Sequence, residues 1–231
     1  MDSITRIGTE RHWAGRMNLH VDTLPYAQLS FSLSGEDAVL AQHFKRRIHN
    51  NKPGIYVDLG CAMPVQISNT YLFYCHGWRG VCVDLNPKHA PYWASARPED
   101  AFVNAVVSNE TTTAHIFEHA SNEGMLRIGT SEMPPSPEFR HVGQATPLSL
   151  ADILAAKLKP GTVVDFFSID VEGAELSVLK SNDWNRWKPA VILVECEGYS
   201  PSEQEPEAIT YLRTLGYSVS GNIGANVFLS L

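Results

Sequence analysis

The chain has 231 residues, of which 44% are hydrophobic and 19% are charged, and its formal net charge is −7. These values are typical of a folded domain and exclude an intrinsically disordered chain. The acidic balance argues against nucleic acid as the main partner, because binding to phosphates relies on basic residues. The basic run HFKRRIH at residues 43–49 is interpreted as the solvated face of a helix.

The N-terminal sequence MDSITRIGTERHWAGRM lacks the apolar core and cleavage site of a secretory signal, and no apolar run approaches the length of a membrane span. The four cysteines form no C-x-x-C pair, which is typical of free thiols in a reducing compartment. We therefore expect a cytoplasmic protein with no membrane span.

Residues 1–33 show no clear periodicity and are interpreted as an N-terminal arm or small cap, whereas residues 34–231 are expected to form the main domain. A helix is expected to begin at Ser34, a candidate N-cap. Apolar strand-like runs and helical segments then alternate. The predicted strands are Ile55–Leu59, Gly80–Val83, Ala101–Val107, Ala114–Phe117, Val163–Ile169, Ala190–Val194, Tyr217–Ser220 and Asn226–Leu231. The predicted helices after the first are Ser68–His76, Tyr92–Ala96, Leu148–Leu158, Gly173–Lys180 and Glu205–Leu215.

This alternation predicts an α/β fold with a Rossmann-like, doubly wound and mainly parallel sheet that has helices on both faces. The last two strands have no helix between them, so we expect a C-terminal antiparallel hairpin at the sheet edge. Ligands of such folds bind at the carboxyl ends of the strands. Residues 119–147 lack a strong period and are expected to form a variable lid or mobile loop that selects the substrate.

The turn after the first predicted strand, DLGCAMP at residues 58–64, contains a single glycine, Gly60. A dinucleotide site needs three glycines so that the backbone can approach a pyrophosphate. The turn therefore suits a ligand without phosphate, such as S-adenosylmethionine. Asp84 ends the second predicted strand, where a carboxylate can accept hydrogen bonds from both ribose hydroxyls or cap the next turn.

Polar residues also stand at the ends of the next two predicted elements. Asn69 lies in Ser68-Asn69-Thr70, where the free N–H groups and side chains of a helix start can hold the carboxylate of the cofactor or simply cap the helix. Asn104 lies near the end of the third predicted strand, where the adenine amine of the cofactor would be met.

Five short motifs occur in a fixed order along the chain. They are Ser34–Leu40 (SGEDAVL), Ser68–Tyr74 (SNTYLFY), Gly77–Pro87 (GWRGVCVDLNP), Ile169–Glu175 (IDVEGAE) and Ser181–Trp184 (SNDW). In this order the chain resembles FkbM-type methyltransferases. The resemblance implies a Rossmann-like fold, S-adenosylmethionine as methyl donor, and O-methylation of a hydroxyl on a sugar, glycan or related natural product. The residues that it implies around the cofactor are Glu36, Asp58, Gly60, Asn69, Asp84, Asn104 and Asp170.

Four carboxylates follow two neighbouring predicted strands: Asp170 and Glu172 after one, Glu195 and Glu197 after the other. Because these strand ends are adjacent, the carboxylates are expected to converge, and their mutual repulsion requires positive charge nearby. The candidates are the sulfonium of the cofactor, a partner Lys or Arg, or a hard cation such as Mg²⁺ or Mn²⁺ held by Asp170 and Glu195. Alternatively, Glu172 and Glu175 cap the next helix.

The catalytic candidates are Asp170, Glu195, Glu197 and His119. A hydroxyl is a poor nucleophile at neutral pH, so its methylation benefits from a base that removes the proton. Glu195, Glu197 or a histidine such as His119 can be this base. A cation at Asp170 and Glu195 would also lower the pKa of the hydroxyl.

Two other functional classes remain as alternatives. One is a nicotinamide-dependent oxidoreductase or sugar epimerase on a similar fold, which the missing G-x-G-x-x-G motif and the C-terminal hairpin disfavour. The other is a non-catalytic S-adenosylmethionine-binding protein, which the presence of Asp58, Gly60, Asp84 and Asp170 disfavours.

Overall fold

The computed structural model describes residues 28–129, 131–200, 202 and 204–231, and the side chains of residues 122–125 are outside this description. Residues 31–231 form one compact unit. Residues 1–27 of the arm predicted at residues 1–33 lie outside the described residues. Among the described residues, no helix is long and apolar enough to cross a membrane.

Helices and strands alternate through this compact unit. The helices are α1 (Glu36–His43), α2 (Lys45–His49), α3 (Tyr71–Cys75), α4 (Ala90–Ala96), α5 (Leu150–Lys157), α6 (Glu175–Lys180) and α7 (Glu207–Thr214). The strands are β1 (Ile55–Leu59), β2 (Arg79–Asp84), β3 (Ala101–Asn104), β4 (Ala114–His119), β5 (Asn122–Gly129), β6 (Phe139–Ala145), β7 (Phe166–Ile169), β8 (Val191–Glu195), β9 (Ser218–Ile223) and β10 (Asn226–Ser230).

Seven strands form the main sheet in the order β3-β2-β1-β7-β8-β10-β9. The pairs from β3 to β8 are parallel, whereas β10 runs antiparallel to both β8 and β9. This arrangement confirms the predicted Rossmann-like α/β fold with its C-terminal antiparallel hairpin. The chain order of the strands reverses between β1 and β7, which is where doubly wound sheets bind ligands.

Apolar layers pack on both faces of the main sheet. Adjacent residues of one strand point to opposite faces, so Tyr56 and Phe166 join one core, whereas Val57 and Phe167 join the other. All four side chains are fully buried. Burial on both faces explains why these central strands are mainly apolar rather than alternating in the sequence.

A second sheet is inserted between β3 and α5. Its three antiparallel strands have the order β5-β4-β6, and we call it the inserted sheet. We expected a lid or mobile loop at residues 119–147, whereas the structure has the strands β5 and β6 there. The strand predicted at Ala114–Phe117 is present as β4, but it belongs to the inserted sheet and not to the main sheet. The periodicity was weak because β6 (FRHVGQA) has mainly exposed or half-buried side chains, and its strand form depends on hydrogen bonds to β4.

Several predicted element starts differ from the structure by one to three residues, and two of them have a clear physical cause. The N-cap of α1 is Gly35, with φ 98°, and not the predicted Ser34. The N–H of Ser34 instead donates to a carboxylate oxygen of Glu36 at 2.8 Å. The strand predicted from Val163 begins at Phe166. Val163 is 74% exposed. The neighbouring strand β1 begins opposite Asp165, so it does not extend far enough to pair with Val163.

Candidate functional site

A cleft opens at the carboxyl ends of β1, β2, β3 and β7, where the order of the main sheet reverses. It encloses about 820 Å³ of empty space, part of which is open to solvent. Gly60, Asp84 and Asp170 line it, together with aliphatic side chains of the loops after β2 and β3 and of β5. An apolar cleft with a few polar groups at this position is typical of a small-molecule site.

The turn at Gly60 is fitted closely against the end of β7. Gly60 has φ 75°, and a Cβ atom at this position would lie 1.6 Å from the carbonyl oxygen of Asp170. The N–H of Asp170 donates to the carbonyl oxygen of Leu59 at 2.9 Å, which holds the two chain segments together. Only glycine satisfies both the backbone conformation and this contact.

Asp84 joins two loops at the opposite side of the cleft. Its Oδ2 accepts a hydrogen bond from the N–H of Ala62 at 2.8 Å, and its Oδ1 accepts from the N–H of Asn86 at 2.7 Å. Nδ1 of His89 lies 3.0 Å from the same Oδ1. A carboxylate has about four acceptor positions, so Asp84 retains capacity for a ligand hydroxyl. Sequence reasoning did not identify His89.

Asp58 lies beneath the loop and is not among the residues that line the cleft. Its Oδ2 accepts a hydrogen bond from Oγ1 of Thr70 at 2.5 Å. Burial raises the pKa of Asp58 to about 6, although the Thr70 hydrogen bond opposes this shift. The carboxylate therefore connects β1 to the start of α3, and cofactor contact by Asp58 stays a prediction.

Arg97 is a buried residue that sequence reasoning missed. Its guanidinium donates to Tyr56 Oη at 2.8 Å, to Thr70 Oγ1 at 3.0 Å and to the carbonyl oxygen of Pro64 at 3.0 Å. Nε donates to a carboxylate oxygen of Asp100 at 2.7 Å. These bonds hold the loop between β1 and α3, which forms one side of the cleft. A single arginine before a proline gives no sequence signal for this role.

Asn69 and Asn104 do not line the cleft. Nδ2 of Asn69 donates to Oγ of Ser168 at 3.1 Å. Nδ2 of Asn104, an exposed residue, donates to the backbone carbonyl oxygen of Asp84 at 2.9 Å. Ser68 accepts the N–H of Tyr71 at 3.1 Å, as a capping residue does. The cofactor contacts implied for the two asparagines stay predictions.

Glu36 is buried at the start of α1, close to the carboxyl end of β8. Its Oε1 accepts a hydrogen bond from Nδ2 of Asn226 at 3.1 Å, and Asn226 pairs with Glu195 in the main sheet. Glu36 is not among the residues that line the cleft. Its implied cofactor contact likewise stays a prediction.

Asp170 and Glu195 form a carboxyl pair at the edge of the cleft. Their strands are adjacent, and because Ile169 pairs with Val194, the two carboxyl residues follow at the same level of the sheet. Burial, followed by the proximity of Glu195 and the negative charges of Glu172 and Glu175, raises the pKa of Asp170 to about 8. The structure thus brings together two of the four carboxylates that the sequence predicted to converge.

The two other glutamates of this segment have different roles. Oε1 of Glu175 accepts the N–H groups of Val171 at 3.3 Å and of Gly173 at 3.0 Å, which is the predicted capping alternative. Glu172, with φ 56°, accepts a hydrogen bond from the guanidinium of Arg127 at 3.3 Å. Nε of Arg127 is buried and has no hydrogen-bond partner among the described residues.

The remaining catalytic candidates lie elsewhere. Glu197 is exposed beyond the end of β8. His119 belongs to the inserted sheet, where its ring packs edge-on against Phe139 with centroids 5.1 Å apart and its Nδ1 accepts the N–H of Ser121 at 3.3 Å. Neither side chain lines the cleft.

The predicted metal site at Asp170 and Glu195 finds no support in the donor set. In the part of the chain that the structure describes, no three His, Cys, Asp or Glu side chains are arranged to hold a metal ion. Asp170 and Glu195 offer only two carboxyl groups, and the third nearby carboxylate, Glu172, bonds to Arg127. These residues do not fit a closed oxygen-ligand site, so we assign no catalytic step to a metal.

Among the solved structures that resemble this chain, one with a TM-score of 0.50 supports the fold. A protein from Staphylococcus aureus described as a putative caffeoyl-CoA O-methyltransferase is 9% identical, with a TM-score of 0.50, and the match covers 98% of this chain and 97% of that one. Monomeric WbdD is 13% identical with a TM-score of 0.45; the match covers 91% of this chain but 44% of WbdD. The 1,6-didemethyltoxoflavin-N1-methyltransferase of Burkholderia thailandensis is 12% identical with a TM-score of 0.42, and the match covers 98% of this chain and 84% of that one.

Comparison at the level of sequence identifies the family. No curated protein sequence matches the chain. The model of the methyltransferase FkbM domain matches residues 58–219, which is more than half of the chain and includes Gly60, Asp84, Asp170 and Glu195. The chain therefore belongs to the FkbM family of methyltransferases.

Proposed function

We propose that the protein transfers a methyl group from S-adenosylmethionine to a hydroxyl of a sugar, a glycan or a related natural product. Membership of a methyltransferase family supports the reaction class. The observation that carries the choice of an oxygen acceptor is the Asp170–Glu195 carboxyl pair at the edge of the cleft. Methylation of a hydroxyl needs a proton acceptor at this position.

The residues that line the cleft fit the cofactor. Asp84 has remaining acceptor capacity for a ribose hydroxyl, and the aliphatic side chains of Leu85, Val106 and Ile128 suit the faces of an adenine base. The turn at Gly60 has no glycine-rich backbone for a pyrophosphate, in agreement with a ligand that lacks phosphate. The acidic edge at Asp170 suits a positively charged sulfonium.

When bound, S-adenosylmethionine supplies an electrophilic methyl group on a cationic sulfur. In this chain the Asp170–Glu195 pair would lie beside the acceptor hydroxyl and would accept its proton. A carboxylate with a raised pKa is a stronger base than an ordinary aspartate, so burial of Asp170 favours proton removal. The remaining contribution of the chain is orientation of the two reactants.

A transfer assay with isotopically labelled cofactor tests the proposal. We expect label to appear in members of a panel of sugars and glycans, and Asp170→Asn to lower the rate at least about a hundredfold, as loss of a general base does. Glu197→Gln, which changes an exposed carboxylate outside the cleft, is the matched control and should retain activity. Cofactor binding without transfer to any acceptor would favour a non-catalytic binding protein, and absence of both would refute the proposal.

A further inference from the structure

One wall of the cleft comes from the inserted sheet. Leu126 and Ile128 of β5 line the cleft together with Asp84 and Val106, which belong to the main domain. Both β5 side chains are aliphatic and half-buried. An aliphatic wall beside an open cleft leaves apolar surface that a flat apolar ligand would cover.

Two ion pairs tie the inserted sheet to loops on both sides of the cleft. Arg127 of β5 pairs with Glu172, in the loop after β7, at 3.3 Å. Glu118 of β4 pairs at 3.6 Å with Lys88, in the segment after β2. Since Glu172 lines the cleft and Lys88 follows the cleft residue Asn86, both connections lie next to the ligand position.

The place of the wall relative to Asp84 indicates which part of the cofactor it contacts. With its ribose hydroxyls at Asp84, the cofactor would direct its adenine base toward the loop after β3, where Ala105 and Val106 line the cleft. The methyl group would lie toward Asp170. Leu126 and Ile128 line the same cleft as Ala105 and Val106, and purine faces pack well on aliphatic side chains.

We propose that the inserted sheet is part of the cofactor site: Leu126 and Ile128 cover the adenine base, and the Arg127–Glu172 pair holds β5 over it. This inference rests on the proposed function, because it requires S-adenosylmethionine as the ligand of the cleft. It assigns the segment at residues 119–147 to cofactor binding, whereas the sequence had favoured a role in acceptor selection.

Calorimetric titration with S-adenosylhomocysteine and with adenosine tests this assignment. Ile128→Ala should weaken binding of both probes at least about tenfold, which equals about 1.4 kcal/mol. Val142→Ala is the matched control, since it removes a 47% exposed aliphatic side chain from β6 of the same sheet, and it should change the Kd less than about twofold. Thermal melting by circular dichroism checks that each variant is folded.

The ion pair supplies an independent variant set that leaves the aliphatic wall intact. Arg127→Glu should weaken binding of S-adenosylhomocysteine, and the double variant Arg127→Glu/Glu172→Arg should recover part of the loss. If the wild-type protein binds neither probe, the proposed function itself is contradicted. If the wild type binds both while the folded Ile128→Ala and Arg127→Glu proteins bind equally well, only the role of the inserted sheet is overturned.

Discussion

Replacement of Arg97 by methionine is expected to destabilise the protein strongly. The side chains of Arg97 and its partner Asp100 have no exposed surface, and Nε of Arg97 lies 2.7 Å from the carboxylate. Removing one member of a buried ion pair costs about 3–5 kcal/mol, because the other charge stays buried without compensation. Asp100 also accepts hydrogen bonds from the N–H of Gly80 and from Tyr56 Oη at 2.8 Å, which limits the loss to the lower part of this range.

Urea unfolding measured by circular dichroism gives the free energy of unfolding for this comparison. Arg97→Met should lower it by about 3 kcal/mol, and Arg97→Met/Asp100→Asn should recover part of the loss because no uncompensated charge remains. Arg213→Met is the matched control: Arg213 is 47% exposed and pairs with Glu205, so its loss should cost less than about 1 kcal/mol. A loss below about 1 kcal/mol for Arg97→Met would refute this account of the buried network.

Three further predictions concern the cleft and its edge. Gly60→Ala should abolish binding of S-adenosylhomocysteine, because the new Cβ would lie 1.6 Å from the carbonyl oxygen of Asp170. Gly161→Ala is the control: Gly161 has a similar φ and open space around it, so this variant should bind normally in the same titration. The rate of methyl transfer should rise with pH toward about 8 as Asp170 loses its proton, and a flat profile between pH 6 and 8 would contradict its role as base. The free energy of unfolding should fall as pH rises from about 4 through 8, since the folded state holds the protons of Asp58 and Asp170 longer than the unfolded state does. In urea titrations, Asp170→Asn should remove the part of this dependence between about pH 6 and 8.

The architecture of the main sheet could be predicted because its signals are local. Short, mainly apolar runs at β2, β7 and β8 correspond to strands buried on both faces, and the ends of these parallel strands place Asp84, Asp170 and Glu195 at one rim. The absence of a helix between β9 and β10 was sufficient to predict that these strands form an antiparallel hairpin. Each of these inferences needs only the order of elements and the period of apolar residues.

Features that depend on contacts between distant segments could not be predicted. Arg127 and Glu172 are 45 positions apart, and neither has a neighbour in sequence that indicates the pairing. Arg97 looks like a surface residue before a proline until the fold buries it among Tyr56 and Thr70. The inserted sheet was missed for a related reason, because its polar β6 is paired through backbone hydrogen bonds that leave no apolar period.

Titration of the protein with S-adenosylmethionine tests the central claim most directly. We expect the wild-type chain to bind the cofactor with a Kd in the micromolar range, corresponding to about −8 kcal/mol at 1 μM. Asp84→Ala should weaken binding at least about tenfold, since this carboxylate lines the cleft and retains acceptor capacity. Absence of binding by the folded wild-type protein, or equal affinity of the folded Asp84→Ala variant, would contradict the cofactor site described at the end of β2.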